Sequence, residues 1–228
     1  MEEKSFLAAL QLADSFFPSG TVTLSHGLEA YLANEELSAN DISDILNNQL
    51  EVKVGPLDVV AYSHAYDAVE RGEVPKAHEI DRYFHASLVS EEIRQGSIRS
   101  GRATLETLSR VTAVPILHTF LRGVRRGLSS GHAPVCSALA HFNWEISKRA
   151  GGLSMLHTFA VGYLGAAIRL GSIGHTDAQR ILWKARQRLV PIVDSALETP
   201  LAEMGSFAPI ADIRTMQHSH LEVRLFST

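Results

Sequence analysis

The sequence holds a single cysteine, Cys136, among 228 residues. It cannot form an internal disulfide or a multi-cysteine zinc site, and a lone thiol in a chain with eleven histidines points to a reducing compartment. The expected location is cytoplasmic. No secretory leader is expected, because Glu2 and Glu3 follow Met1 at once and Gln11 and Asp14 interrupt the first apolar stretch. No Gly-Lys-Ser/Thr occurs anywhere, which excludes a Walker-type phosphate loop. Gly123, Gly127 and Gly131 are four apart with no buried strand leading in, so they are no dinucleotide fingerprint. Alternation suited to a strand is confined to Leu50, Val52 and Val54, which read equally as the end of a helix carrying Ile42, Ile45 and Leu46, and to the C-terminal tail.

What is present is helical spacing of apolar residues in a chain that is 45% hydrophobic and 20% charged. The expectation is an all-α single domain over 1–228, of about eight to ten helices, ending in an extended arm. Turn and cap residues divide it. Phe17-Pro18-Ser19-Gly20 reads as a turn, and Asn40 or Asp41 as a cap. Pro56 is placed to open a helix ending at Gly72, and Pro75, Pro115 and Pro134 to open others. Thr176-Asp177-Ala178-Gln179 has the form of a capping box, with a kink or stop expected at Pro191. The most apolar stretch, Leu153 to Leu170, approaches membrane-spanning length, but Ser154, His157, Thr158 and Arg169 favour a central buried helix over a membrane span. Gly162 and Ala166, on one face of it, would allow a close helix neighbour.

Most candidate chemistry fails on context. Gly127-Leu128-Ser129-Ser130-Gly131 matches a nucleophile elbow, but it follows a helix rich in arginine rather than a strand. His218 and His220 in the tail are weak metal candidates, and His26 and Glu29 share a helix face; neither pair closes a coordination sphere. Arg180, Lys184 and Arg188 form a basic stripe, read either as a solvated face or as a docking surface for an anionic partner. Residues 1–81 carry net charge −11 and residues 82–228 net +7. That polarity suits partner docking or self-association, or mutual neutralisation inside one fold; the net charge of −4 disfavours nucleic acid.

Two segments go beyond generic helix packing. Leu10-Gln11-Leu12-Ala13-Asp14-Ser15-Phe16-Phe17-Pro18-Ser19-Gly20, continuing to Ser25-His26-Gly27-Leu28-Glu29-Ala30-Tyr31, resembles the N-terminal signature of the urease accessory protein UreF family. Pro209-Ile210-Ala211-Asp212-Ile213, Met216-Gln217-His218 and Arg224-Leu225-Phe226-Ser227 resemble its closing motif. Between them, Gly131-His132-Ala133-Pro134-Val135 and Ala166 to Thr176 resemble family blocks in the same order. Val22, Leu24 and His175 depart from the pattern, the first two where the family often has an aromatic residue and a histidine.

The resemblance implies an all-α, dimeric, chaperone-like protein without catalysis of its own. Such a protein bridges a UreD-type (also UreH-type) accessory protein and the UreG-type GTPase during nickel insertion into apo-urease. It implies no stably bound cofactor, nickel being handled by the assembly, and neither nucleic acid nor membrane as a partner. The partner-binding candidates are Asp14, Ser25, Gly27, Glu29, Arg169, Gly171, Gly174, Asp212, His218, Arg224, Leu225 and Phe226. Arg169 is the sharpest, because a guanidinium ending so apolar a helix needs carbonyls, a carboxylate or a partner. Each has a structural alternative: caps for Asp14 and Ser25, turns for the glycines, carbonyl capping for Arg169. The tail, 205–228, is expected to bind a partner and to be mobile when free, the alternative being that it packs on its own domain. Rival functions are a helical enzyme with an unrecognised pocket, and a helical scaffold or metal-responsive regulator unrelated to urease.

Overall fold

The computed structural model describes all residues except Met1, Asn34 and Thr228, and omits the side chain of Val22. The described residues contain no strand. The α-helices in chain order are α1 (Glu3–Ala13), α2 (Leu28–Leu32), α3 (Ala39–Gln49), α4 (Val60–Glu70), α5 (Val74–Ser87) and α6 (Glu91–Val111). They continue with α7 (Pro115–Arg125), α8 (Ala133–Asn143), α9 (Lys148–Arg169), α10 (His175–Glu198) and α11 (Pro209–His218). Prolines stand in the first turn of α5, α7, α8 and α11, where the missing N–H costs nothing.

Several boundaries differ from the expectation for identifiable reasons. The cap of α3 is Ser38, in a reciprocal box with Asp41, whose carboxylate accepts the Ser38 N–H at 2.8 Å. The start of α10 uses Gly174, without a side-chain cap, so the Thr176–Gln179 box is unused. That helix also passes through Pro191 to Glu198. Pro191 is exposed, where water can take the carbonyl that loses its N–H partner.

Pro56 does not open a helix. The chain runs from α3 into α4 through a π-helical segment, Leu50–Val59, that contains it. A proline has no N–H to donate to the carbonyl ladder of this segment. The Phe207 N–H bonds the Val52 carbonyl at 3.2 Å, and the Gly205 N–H bonds the Pro56 carbonyl at 3.2 Å. The wide turn is thus completed by chain from just before α11.

The core is one apolar cluster, with α4 packed on α8 and α5, α6 on α8, and α9 on α10. Tyr62, Tyr163, Phe84 and Phe120 are its largest fully enclosed side chains. Within α9 the close approach comes from Gly151 and Gly152, not Gly162. A Cβ at Gly151 would stand 1.9 Å from the Tyr62 hydroxyl and 2.4 Å from His141 Nδ1, whereas Gly162 and Gly165 face open space. The same helix is the one described helix long and apolar enough to cross a membrane; it buries one face in the core and leaves Val161 exposed.

Candidate functional site

Most of the tail is docked rather than free-standing. Helix α11 lies against α2, and Gly27 makes this possible: its φ of +83° suits glycine, and a Cβ there would meet Thr215 Oγ1 at 2.8 Å. Next to it, the buried Glu29 carboxylate accepts the backbone N–H of Leu225 at 2.7 Å and of Phe226 at 3.2 Å. The fully buried His218 places Nε2 2.8 Å from Glu29 and Nδ1 3.0 Å from Glu92. Ionised carboxylates only accept, so both contacts are satisfied together when both ring nitrogens carry a proton. Glu92 also accepts from Arg224 at 3.2 Å.

Phe226 closes the cluster as an apolar plug. Its buried ring lies under the Arg169 guanidinium, 4.5 Å from the ring centre, while Arg169 Nε donates to the Gly165 carbonyl at 3.1 Å. Ser227 N–H reaches the Thr23 carbonyl at 2.9 Å, and Arg99 reaches the Ser227 hydroxyl at 3.1 Å. Asp212 pairs with Lys53 of the π-helical segment, anchoring α11 at its other end.

Seven of the residues singled out in the sequence, Gly27, Glu29, Arg169, His218, Arg224, Leu225 and Phe226, therefore form one constellation with Glu92. In the structure the end of the tail lies on its own domain, the alternative weighed for it in the sequence. Phe226 and the Glu29 and Glu92 carboxylates hold the end of the tail on its own domain, while Val223 and Leu225, at 81% and 71% exposure, project outward. His218 is committed to two carboxylates while His220 is exposed, so the two do not converge on a common ligand.

The remaining candidates lie apart from this cluster. Asp14 shapes the turn after α1 by accepting the Phe16 N–H at 2.7 Å. Ser25 is buried beside α2. Gly171, at φ +74°, ends α9 in a Schellman motif with Ser172 N–H on the Ala167 carbonyl; Gly174 caps α10. Leu24 is buried, and the Val22 side chain lies outside the described residues.

Glu92 is the residue the sequence did not disclose. Its only local sign is an acid in the first turn of α6, common for the helix dipole alone. Exposed large apolar side chains occur on the elements of both signature segments: Phe6, Leu7 and Leu10 on α1, Phe16 beyond it, and Ile210, Ile213 and Met216 on α11. Such concentration is typical of contact surfaces.

The other chemical candidates resolve structurally. Ser129 meets His78 Nδ1 at 2.8 Å, but that imidazole is stacked on Phe120 at 4.3 Å and its far side abuts Gly123. Asp81 spends its carboxylate on the N–H groups of Ser130, Gly131 and His132, at 2.7–2.9 Å, so it does not orient the ring as a triad would. In the basic stripe, Arg180 pairs with Asp177 and Arg188 with Glu51.

Residues 37–186 match the UreF family. The chain is similar over nearly its whole length to the urease accessory protein UreF of Trichodesmium erythraeum strain IMS101, at 33% identity over 97% of this chain and 96% of that protein. It is 30% identical to the urease accessory protein UreF of Bacillus sp. strain TB-90, over 96% and 97% respectively. The Haemophilus influenzae PittEE protein of the same name is 26% identical over 96% of this chain.

Proposed function

The chain belongs to the UreF family of urease accessory proteins, and on that premise we propose that it is a non-catalytic adaptor in urease maturation. In this reading it bridges a UreD/UreH-type accessory protein and a UreG-type GTPase on apo-urease, as a homodimer, while nickel passes through the assembly. The observation that carries the reading is the joined surface of the two signature segments. Glu29 and His218 weld α2 to the tail, and α11 and the tail beside the weld carry exposed apolar side chains, as does α1 of the first signature segment.

The physical division of labour is direct. The buried carboxylate network fixes the backbone of residues 224–227, so Val223 and Leu225 are presented without the ordering entropy a free arm would lose on binding. Neighbouring apolar groups then supply the area that a partner covers.

The test is co-purification. Tagged chain should retain the UreD-type protein, and the UreG-type GTPase should join in the presence of nickel and nucleotide. Failure to retain either protein under any of these conditions contradicts the adaptor reading.

A further inference from the structure

A cavity of about 190 Å³ lies beneath the N-terminal loop, between the π-helical segment and helices α6, α8 and α9. Phe17, Leu24, Met155 and Phe159 supply apolar wall, and Gln49 and Asp58 stand in it as polar groups. Neither is fully satisfied by the protein. The Gln49 side chain is 2% exposed, and its amide nitrogen neighbours the Tyr163 hydroxyl without a well-formed hydrogen bond between them. The Asp58 carboxylate accepts no hydrogen bond from any other described residue.

The π-helix creates this arrangement. Its i to i+5 repeat sets Lys53 and Asp58 one turn apart, and such segments gather at functional sites. The Lys53 ammonium is already engaged by Asp212. His26 and His141, which also line the cavity, are held neutral because burial lowers each to about 4, helped at His26 by the charge of Lys53. Two carboxylates therefore face one ammonium, leaving the Asp58 charge without a cation of its own in a half-open, mainly apolar cavity. An unpaired buried charge is costly and is relieved by a proton or by a cation.

We propose that this cavity is a binding site for a small organic ammonium group, held by Asp58 against the apolar wall, with the Gln49 amide donating to an oxygen of the same ligand. The volume is below the ~300–1,000 Å³ of sites for drug-sized ligands, which limits the occupant to a short chain. No group of three potential metal-ligating side chains occurs among the described residues, so the charge calls for an organic cation rather than a chelated metal. The ammonium can come from a free amine or from the lysine side chain of a bound protein.

The site also makes binding pH-dependent. Burial pushes the Asp58 carboxyl up to about 7 against the pull of Lys53, so the anion that holds the ligand is lost as pH falls. His26 and His141 stay neutral from pH 8 to pH 6.

The experiment uses the full chain, with propylammonium, isosteric propanol and Nα-acetyl-lysine methylamide as probes. Melting temperature and the Asp58 carboxyl ¹³C shift are both read. Propylammonium should raise the melting temperature at pH 8 and shift the Asp58 titration to lower pH, with affinity about tenfold weaker at pH 6. Asp58→Asn should weaken it at least tenfold, while propanol does neither. A response to the lysine probe alone assigns the ammonium to a partner protein, and a response to propylammonium to a free amine; both uphold the site. Equal effects of propylammonium and propanol, an unmoved Asp58 titration in wild type, or stabilisation by divalent metal ions without any by either amine would overturn it. The carboxyl signal is read on wild type, so the result stands even if Asp58→Asn fails to fold.

Discussion

Glu29 and His218 are 189 residues apart in sequence and 2.8 Å apart in space, both buried. The contact joins the first signature segment to the last. Glu29 also holds two backbone N–H groups of the tail, so one side chain fixes a helix, an imidazole and a chain terminus together.

Replacing Glu29 tests that junction. Glu29→Ala should cost about 2–4 kcal/mol, since it leaves two buried N–H groups and His218 short of acceptors at roughly 1–3 kcal/mol each without full additivity. Urea unfolding checks the magnitude, and hydrogen exchange should show amides 225 and 226 losing protection first. Retained protection would mean the tail is held by Phe226 alone.

Two truncations should behave differently. Ending the chain after His218 removes the plug but keeps the buried imidazole, so α11 stays docked and the loss is about the 2–3 kcal/mol of one buried aromatic side chain plus the Glu29 contacts. Ending it after Asp212 strips Glu29 and Glu92 of their shared partner and removes Thr215 from α2. Melting curves should show the second loss to be clearly the larger; equal losses would contradict the network's role.

Helix α9 offers a paired test of packing. Gly151→Ala drives a Cβ into the Tyr62 hydroxyl and His141, which are hydrogen-bonded at 3.2 Å, and should cost more than about 3 kcal/mol. Gly162→Ala meets nothing within 4 Å and should be neutral or stabilising by about 0.5–1 kcal/mol. The reverse order in thermal denaturation would place the close helix contact at the wrong glycine.

Acid sensitivity follows from the buried histidines. His26, His132 and His141 are each lowered to about 4, chiefly by burial, and return to the ordinary 6.5 on unfolding. The unfolded chain then binds more protons, so their contribution is present above pH 6.5 and lost as pH falls toward 4. Asp58, raised to about 7 by burial, works in the opposite sense: its contribution favours folding at low pH and is lost as pH rises through 7. The balance is about two protons near pH 5, or roughly 2–3 kcal/mol of stability lost per pH unit on acidification. Denaturant titrations from pH 4.5 to 7 check this, and Asp58→Asn should steepen the slope. A flat profile would mean these histidines are solvated.

Much of the fold was legible because its punctuation is chemical. Prolines at helix starts and apolar spacing located α5, α7, α8 and α9. Pro56 misled because a proline inside a π-helical run depends on Gly205 and Phe207, some 150 residues away, for its hydrogen bonds. Gly162 misled because one-dimensional spacing does not say which face of α9 meets a neighbour. In the site, Glu29, Arg169 and Phe226 stood out as residue types in motifs, but their mutual contact did not. Glu92 was hidden because its surroundings in sequence are those of any helix start.

The most direct test of the account is the nickel content of urease from cells whose own copy of this gene is replaced by one ending after His218. The proposed adaptor role predicts stable, helical protein at normal abundance together with urease that is largely apo and inactive. Fully metallated urease from those cells would contradict the claim that the welded N-terminal and tail surface does the work.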